Sequence, residues 1–236
     1  MIGNMKKIGI FMVVLCICAG NISAQDIQIT QKEAGADLRF ESNRSLDYSG
    51  DISVFGDIEL NSQFGLKSGL ALGWVDAGFD IVLFGSVRYA PFAGLPLNAN
   101  ILYNYNGLPG PLFNSHTHSL LPYISYNARM AGIAAGINCR FTSYFGEPAI
   151  FESMLSFSGY VNFINTDTLL FGLSVANFND FDIRNMGSYY ASLNLAIRLN
   201  DQWTFTNGLE FKQAGSIGLS STFYGFTYRG GVRFTW

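Results

Sequence analysis

The stretch from Leu219 to Trp236 constrains this chain more than any other. Reading back from Trp236, every second residue is apolar or small: Phe234, Val232, Gly230, Tyr228, Phe226 and Tyr224. Between them lie Thr235, Arg233, Gly231, Arg229, Thr227 and Gly225. A period of two held this far describes a β-strand with one greasy face and one polar face. Strands of soluble sheets usually run to about 5–6 residues. A strand that crosses a bilayer at a tilt needs about 9–11, apolar toward lipid and polar toward a lumen. The soluble alternative, a secreted β-sandwich or a carbohydrate-binding β-domain, would alternate too. Strand length and the aromatic terminus favour the membrane.

The other end points to export. Lys6 and Lys7 precede an apolar run from Ile8 to Ala19, and Asn21-Ile22-Ser23-Ala24 ends on a small residue. Charged start, short apolar centre and small-residue site predict a signal peptide over 1–24, too short to span a membrane as a helix. Cys16 and Cys18 fall inside the apolar run, each preceded by a bulky residue (Leu15, Ile17), which speaks against a lipidated cysteine. Only Cys139 is then left, so no internal disulfide is expected. Of the 14 Lys and Arg residues, losing Lys6 and Lys7 leaves 12 against 17 acidic ones, which excludes a nucleic-acid partner. No later segment reaches about 18 consecutive apolar residues, so the membrane-compatible option is a closed barrel.

Alternation between turn signals predicts twelve strands: Ala34–Arg44, Asp51–Leu60, Phe64–Trp74, Phe79–Tyr89, Leu97–Tyr105 and Leu120–Asn127, then Ile133–Thr142, Glu152–Phe163, Leu169–Asn177, Tyr189–Leu199, Trp203–Lys212 and Leu219–Trp236. Ten or eight are the alternatives if weak segments merge. The segment at Leu120–Asn127 is blurred by Leu120-Leu121-Pro122-Tyr123. Residues 25–33 form a short polar lead, too small to plug a lumen, and 34–236 one all-β domain. Asn61-Ser62-Gln63, Ala128-Arg129-Met130, Asn165-Thr166-Asp167 and Asn200-Asp201-Gln202 read as tight periplasmic turns, while Ala90–Pro96 is longer. Ser45–Gly50, Asn106–Ser119 and Asn179–Gly187 read as extracellular connections. Trp74, Tyr89, Trp203 and Trp236 sit near strand ends, where amphipathic rings favour the headgroup level.

This pattern resembles the bacterial outer-membrane β-barrels, a transmembrane antiparallel β-barrel class. The resemblance implies an outer-membrane location, contact with its lipid, and an insertion signal formed by Trp236, Phe234 and Val232 that the outer-membrane assembly machinery engages. Phe171-Gly172-Leu173-Ser174-Val175-Ala176-Asn177-Phe178 is similar to later strands of the long-chain fatty-acid transporter family, whose barrel has fourteen strands and an N-terminal plug.

Chemistry-bearing residues are sparse. The two histidines, His116 and His118, fall in Ser115-His116-Thr117-His118-Ser119, without the His-x-Ser pair that barrel acyl hydrolases use. They read as exposed loop residues, with no catalytic, cofactor or metal site expected. Asp180 and Asp182 read as a solvated acidic loop. The charges on the predicted inward faces are more suggestive. Arg39, Asp57, Glu59, Lys67, Arg88, Arg198, Glu210, Arg229 and Arg233 are expected to line the lumen, with Asp37, Glu41 and Asp80 beside them. They could rigidify the wall by cross-strand pairing or tune passage of solutes. A twelve-strand barrel exceeds the eight-strand size that side chains just fill, so a water-holding lumen is expected. The expected function is a porin-like passive channel for small polar solutes, not an enzyme. The alternatives are a non-enzymatic surface protein serving adhesion or as a partner platform, and a lipid-modifying barrel enzyme.

Overall fold

A computed structural model describes residues 31–43, 48–75, 78–92, 94–108, 114–144, 147–185, 187–216 and 220–236. The signal-peptide segment, Cys16, Cys18, residues 25–30 of the lead, the 44–47 link and residues 109–113 lie outside them. Every strand expected from alternation is present: β1 (Gln31–Asn43), β2 (Tyr48–Glu59), β3 (Phe64–Val75), β4 (Gly78–Tyr89), β5 (Leu97–Leu108) and β6 (Ser115–Asn127), followed by β7 (Ala131–Tyr144), β8 (Ile150–Asn165), β9 (Leu169–Ala176), β10 (Ser188–Arg198), β11 (Trp203–Ser216) and β12 (Ser220–Thr235). Each pairs antiparallel with its sequence neighbours, and β1 pairs with β12, so the sheet closes without an edge. Residues 31–33 belong to β1 rather than to a separate lead.

Period-two alternation puts a continuous apolar surface outside. Phe79, Ile133, Ile124 and Phe151 are each more than half exposed, as lipid-facing side chains must be. Polar residues face inward, where Asp37, Ser53, Asn104 and Thr227 are buried. A hydrophobic residue turned outward here gains from lipid what a core residue gains from its neighbours.

The tight turns at one end share a device. The Asn61 side-chain oxygen accepts hydrogen bonds from the backbone N–H of Gln63 and Phe64, both at 2.8 Å. Asn200 does the same for Gln202 and Trp203, at 2.9 and 2.8 Å. An Asx turn satisfies donors that the reversing backbone would leave unpaired. That end also carries Gln31 and Trp236, so it is taken as periplasmic. There the backbones of Lys32 and Trp236 exchange two bonds (3.3 and 3.0 Å), and the Trp236 ring stacks on Phe234 at 5.5 Å. Deleting Trp236 removes both the last rung of the closing seam and the aromatic end of the expected insertion signal. The folded fraction, read as fast-migrating protein on unheated gels, is expected to fall several-fold in membranes; an unchanged fraction would show that the terminus carries no signal.

Two irregularities interrupt the ladders of β12 and β6, and the first alters an expected face. The β11–β12 register shifts between Lys212 and Gln213, with Lys212 opposite Gly225 and Gln213 opposite Phe223. Tyr224 is the extra residue of this bulge, and its hydroxyl meets Ser188 and Arg184 inside the barrel. Tyr224 therefore leaves the outward face that the plain period assigned to it, because a bulge inverts the phase beyond it. At Pro122 the β6–β7 ladder is interrupted between Leu120 and Tyr123, since proline has no N–H to donate.

Candidate functional site: a loop folded into the lumen

The expected lumen charges all occur on inward-facing positions, and most are tied to one another. Arg233 donates two bonds to the Asp37 carboxylate, at 2.7 and 3.0 Å. Arg39 pairs with Asp51, and the buried Lys212 with Glu41. Arg229 lies 3.2 Å from Glu210, and Arg88 donates to Glu59 at 2.7 Å across Gly65, whose missing side chain leaves room for the guanidinium. These pairs make a ladder of opposed charges along the wall from β11 through β12, β1 and β2 to β4. Arg198 stands exposed on the last position of β10, at the periplasmic rim. Lys67 is the exception in its partner. It faces Asp57 in the β2–β3 register, yet its Nζ reaches Asp180 at 2.6 Å, far along the chain.

Asp180 can reach Lys67 because the β9–β10 connection turns inward. The turn begins at Asn177, which is wholly buried. Its side-chain oxygen accepts from the Phe157 N–H at 2.7 Å, and its amide donates to the Leu155 carbonyl at 3.1 Å. The side chain thus continues pairing with β8 while the main chain departs. Phe178 and Ile183 then form an isolated antiparallel bridge, capped by Asn179, whose side-chain oxygen accepts from the N–H of Phe181 and Asp182 at 2.9 Å each. The result is a miniature hairpin inside the barrel.

Inward-facing apolar residues receive it. Phe55, Phe84, Leu102 and Leu121 break the polar lumen face and cluster with Phe178 and Ile183. Phe178 meets Tyr123 edge-on at 5.2 Å, and Phe181 meets Phe84 at 4.6 Å. Gly69 gives Phe55 and Phe84 the space to lie side by side. Lys67 and Arg233 both lie over the Phe55 ring, at 4.6 and 4.4 Å from its centroid. Polar tethers complete the seat. The Asn104 amide donates to the Asp180 carbonyl at 2.9 Å, Arg140 donates to the Ile183 carbonyl, and Arg184 donates to Asp182 at 2.6 Å and to Tyr224 at 3.0 Å. Burial would raise the Asp182 carboxyl, but Arg184 and Arg39 outweigh it and hold this loop acid below the ordinary carboxylate value.

The acidic loop therefore folds into the lumen instead of standing free as a solvated extracellular turn, with the Asp180 and Asp182 side chains left 31% and 28% exposed. The water-holding lumen is also smaller than the strand count suggests. Below the loop, toward the periplasm, a cavity of about 400 Å³ remains, lined by Asp57, Lys67, Arg88, Asn100, Ser125 and Tyr160, with Phe178 and Asp180 among the residues that bound it. At loop level Leu102, Leu121, Asn138 and Thr227 are 1% exposed or less, so the lumen is filled there.

The histidines also move. They stand on β6 rather than in a loop, on the outward face, where His116 Nδ1 lies 2.8 Å from the Tyr105 hydroxyl and His118 Nδ1 2.8 Å from that of Tyr103. Among the described residues, no three His, Cys, Asp or Glu side chains converge as a metal site.

No protein-family model and no curated protein matches the chain. Solved structures do. The translocator domain of the autotransporter NalP from Neisseria meningitidis is similar with a TM-score of 0.58 at 12% identity, over 98% of this chain and 97% of that one. The NanC porin gives 0.55 at 11% identity, over 84% and 98%. An outer-membrane channel from Pseudomonas putida F1 gives 0.51 at 9% identity, over 90% and 98%. At such identities the likeness is one of fold: the chain has the closed antiparallel barrel of outer-membrane proteins.

Proposed function

We propose that this protein is a non-enzymatic channel for small polar solutes in the outer membrane, exported by cleavage after Ala24 and held closed by the inward β9–β10 loop. The observation that carries this reading is how the loop is held. It enters a polar lumen as a separate hairpin, fixed by side-chain contacts instead of by the strand ladder, so it can leave without opening the barrel. The cavity beneath it gives a solute a place to wait on the periplasmic side. Porin and channel folds among the similar structures support the same reading.

Planar-bilayer recording tests it. The purified protein is expected to give discrete current steps with the closed level dominant. Lys67→Ala removes the tether to Asp180, a pair whose side chains are 28% and 31% exposed. A half-solvated pair of this kind contributes no more than about 1 kcal/mol, so the open fraction should rise by roughly fivefold at most. Complete absence of steps at either polarity, for both proteins, would remove the channel reading.

A further inference from the structure

The two halves of the lumen wall differ in chemistry. Charges gather on β11, β12, β1 and β2, where they neutralise each other in pairs. The inward face from β5 to β10 carries chiefly amides and hydroxyls, among them Asn100, Ser125, Asn138, Ser156 and Ser192. In its lower part these groups satisfy one another: Asn100 donates to Ser125 at 3.1 Å, and Asn194 to Ser174 at 2.9 Å. Higher up they do not. Asn138 is 0% exposed, and neither its amide nitrogen nor its carbonyl oxygen bonds another group among the described residues. The Ser156 and Ser192 hydroxyls and the Tyr190 hydroxyl are equally unpaired. Asn138 and Ser156 are diagonal neighbours, since Gly136 stands opposite Ser156 and Asn138 opposite Met154 in the β7–β8 register. Ser158, two residues further along the same face of β8, lines the open cavity, so the wall is continuous from cavity to Asn138.

We propose that, once the β9–β10 loop has left the lumen, this wall is a binding track for uncharged, polyhydroxylated solutes, with Asn138 and Ser156 as its central subsite. The inference rests on the channel reading and names its solute. An amide offers a donor and an acceptor side by side, and a serine hydroxyl is either, which matches the hydroxyls of a sugar or polyol, each also donor and acceptor. A permeating ion would instead be held by charge, and on the opposite wall Arg39, Arg88, Lys212, Arg229 and Arg233 are each already engaged by a carboxylate. Unpaired buried polar groups discriminate strongly, because a solute that cannot bond them leaves them unsatisfied. The Tyr123, Tyr160 and Phe178 rings beside the cavity supply flat apolar surface for the C–H face of such a solute.

The test is block of ion current through the full-length mature protein by glucose, gluconate and glucosamine, which share a carbon skeleton and differ in charge. Glucose is expected to occlude the current saturably and at lower concentration than either charged analogue. Asn138→Leu should raise the half-blocking glucose concentration by about tenfold through loss of the amide bonds. Ser156→Ala, which deletes one oxygen and keeps the packing, should raise it by a smaller factor and serves if the leucine variant does not assemble. Current that glucose leaves untouched, that the charged analogues block as well or better, or whose block both variants leave unchanged would overturn the neutral-solute proposal and leave the channel standing. An absence of current would remove both.

Discussion

Phe178→Ala is expected to open the barrel far more than any loss of an ion pair. Phe178 is 8% exposed and seated among Phe55, Phe84, Leu102 and Leu121. When the loop leaves the lumen, that ring leaves its apolar seat, so its burial acts entirely on the closed state. Burying such a side chain is worth about 1.5–3 kcal/mol, which shifts the open-to-closed ratio by roughly 10- to 150-fold on truncation. The Lys67–Asp180 tether, with its side chains 28% and 31% exposed, is worth less than about 1 kcal/mol. Hydrophobic seating should therefore dominate the latch, and Phe178→Leu should restore most of the closed state because it refills the volume. Single-channel open fractions of the two Phe178 variants and of Lys67→Ala give the ranking directly. If Lys67→Ala opened the channel as much as Phe178→Ala, the loop would be an electrostatic latch and the apolar cluster incidental.

The same cluster explains which parts of the structure were legible in the sequence. Strands were legible because a barrel forces every backbone group into the ladder and every side chain onto one of two faces, leaving period two in the residues themselves. The extracellular ends of β5, β6 and β11 run past their expected limits, since polar residues there can extend a strand as readily as a loop. The inward loop was hidden by its own composition. Asn179-Asp180-Phe181-Asp182 reads as a solvated turn, and nothing local says that Asp180 will meet Lys67. A signal did exist elsewhere. Phe55, Phe84, Leu102 and Leu121 fall on the polar phase of their strands, and four large apolar residues facing a lumen need something apolar to cover them. Phe178, Phe181 and Ile183 were the candidates within a connection. Tyr224 departs from the plain period for another reason: a single extra residue inverts a phase, and the sequence of a bulge resembles that of the strand around it.

Lipid-face polarity at β12 provides the second large effect. Phe226 is 45% exposed on the outward face, opposite Ser42 on one side and Phe211 on the other, whereas Thr227 is fully enclosed on the inward face. An arginine on a lipid-facing position near the midplane costs about 2–4 kcal/mol, because its charge must be solvated by distorting the bilayer. Phe226→Arg is therefore expected to destabilise folding in lipid vesicles by up to that free energy, seen as a lower urea midpoint. Thr227→Arg is no neutral control, since the filled lumen at loop level has no space for a guanidinium and overpacking costs about 1–3 kcal/mol on its own. The informative partner is Thr227→Val. It conserves shape and removes a hydroxyl that bonds no other group among the described residues, so its effect should be within about 0.5 kcal/mol of zero or slightly stabilising. Outside, gaining polarity is costly; inside, losing an unpaired hydroxyl is cheap. The two variants read those opposite rules on adjacent residues of one strand. Equal losses for Phe226→Arg and Thr227→Val would mean that β12 is not held in this register, and the inward positions of Arg229 and Arg233 would fall with it.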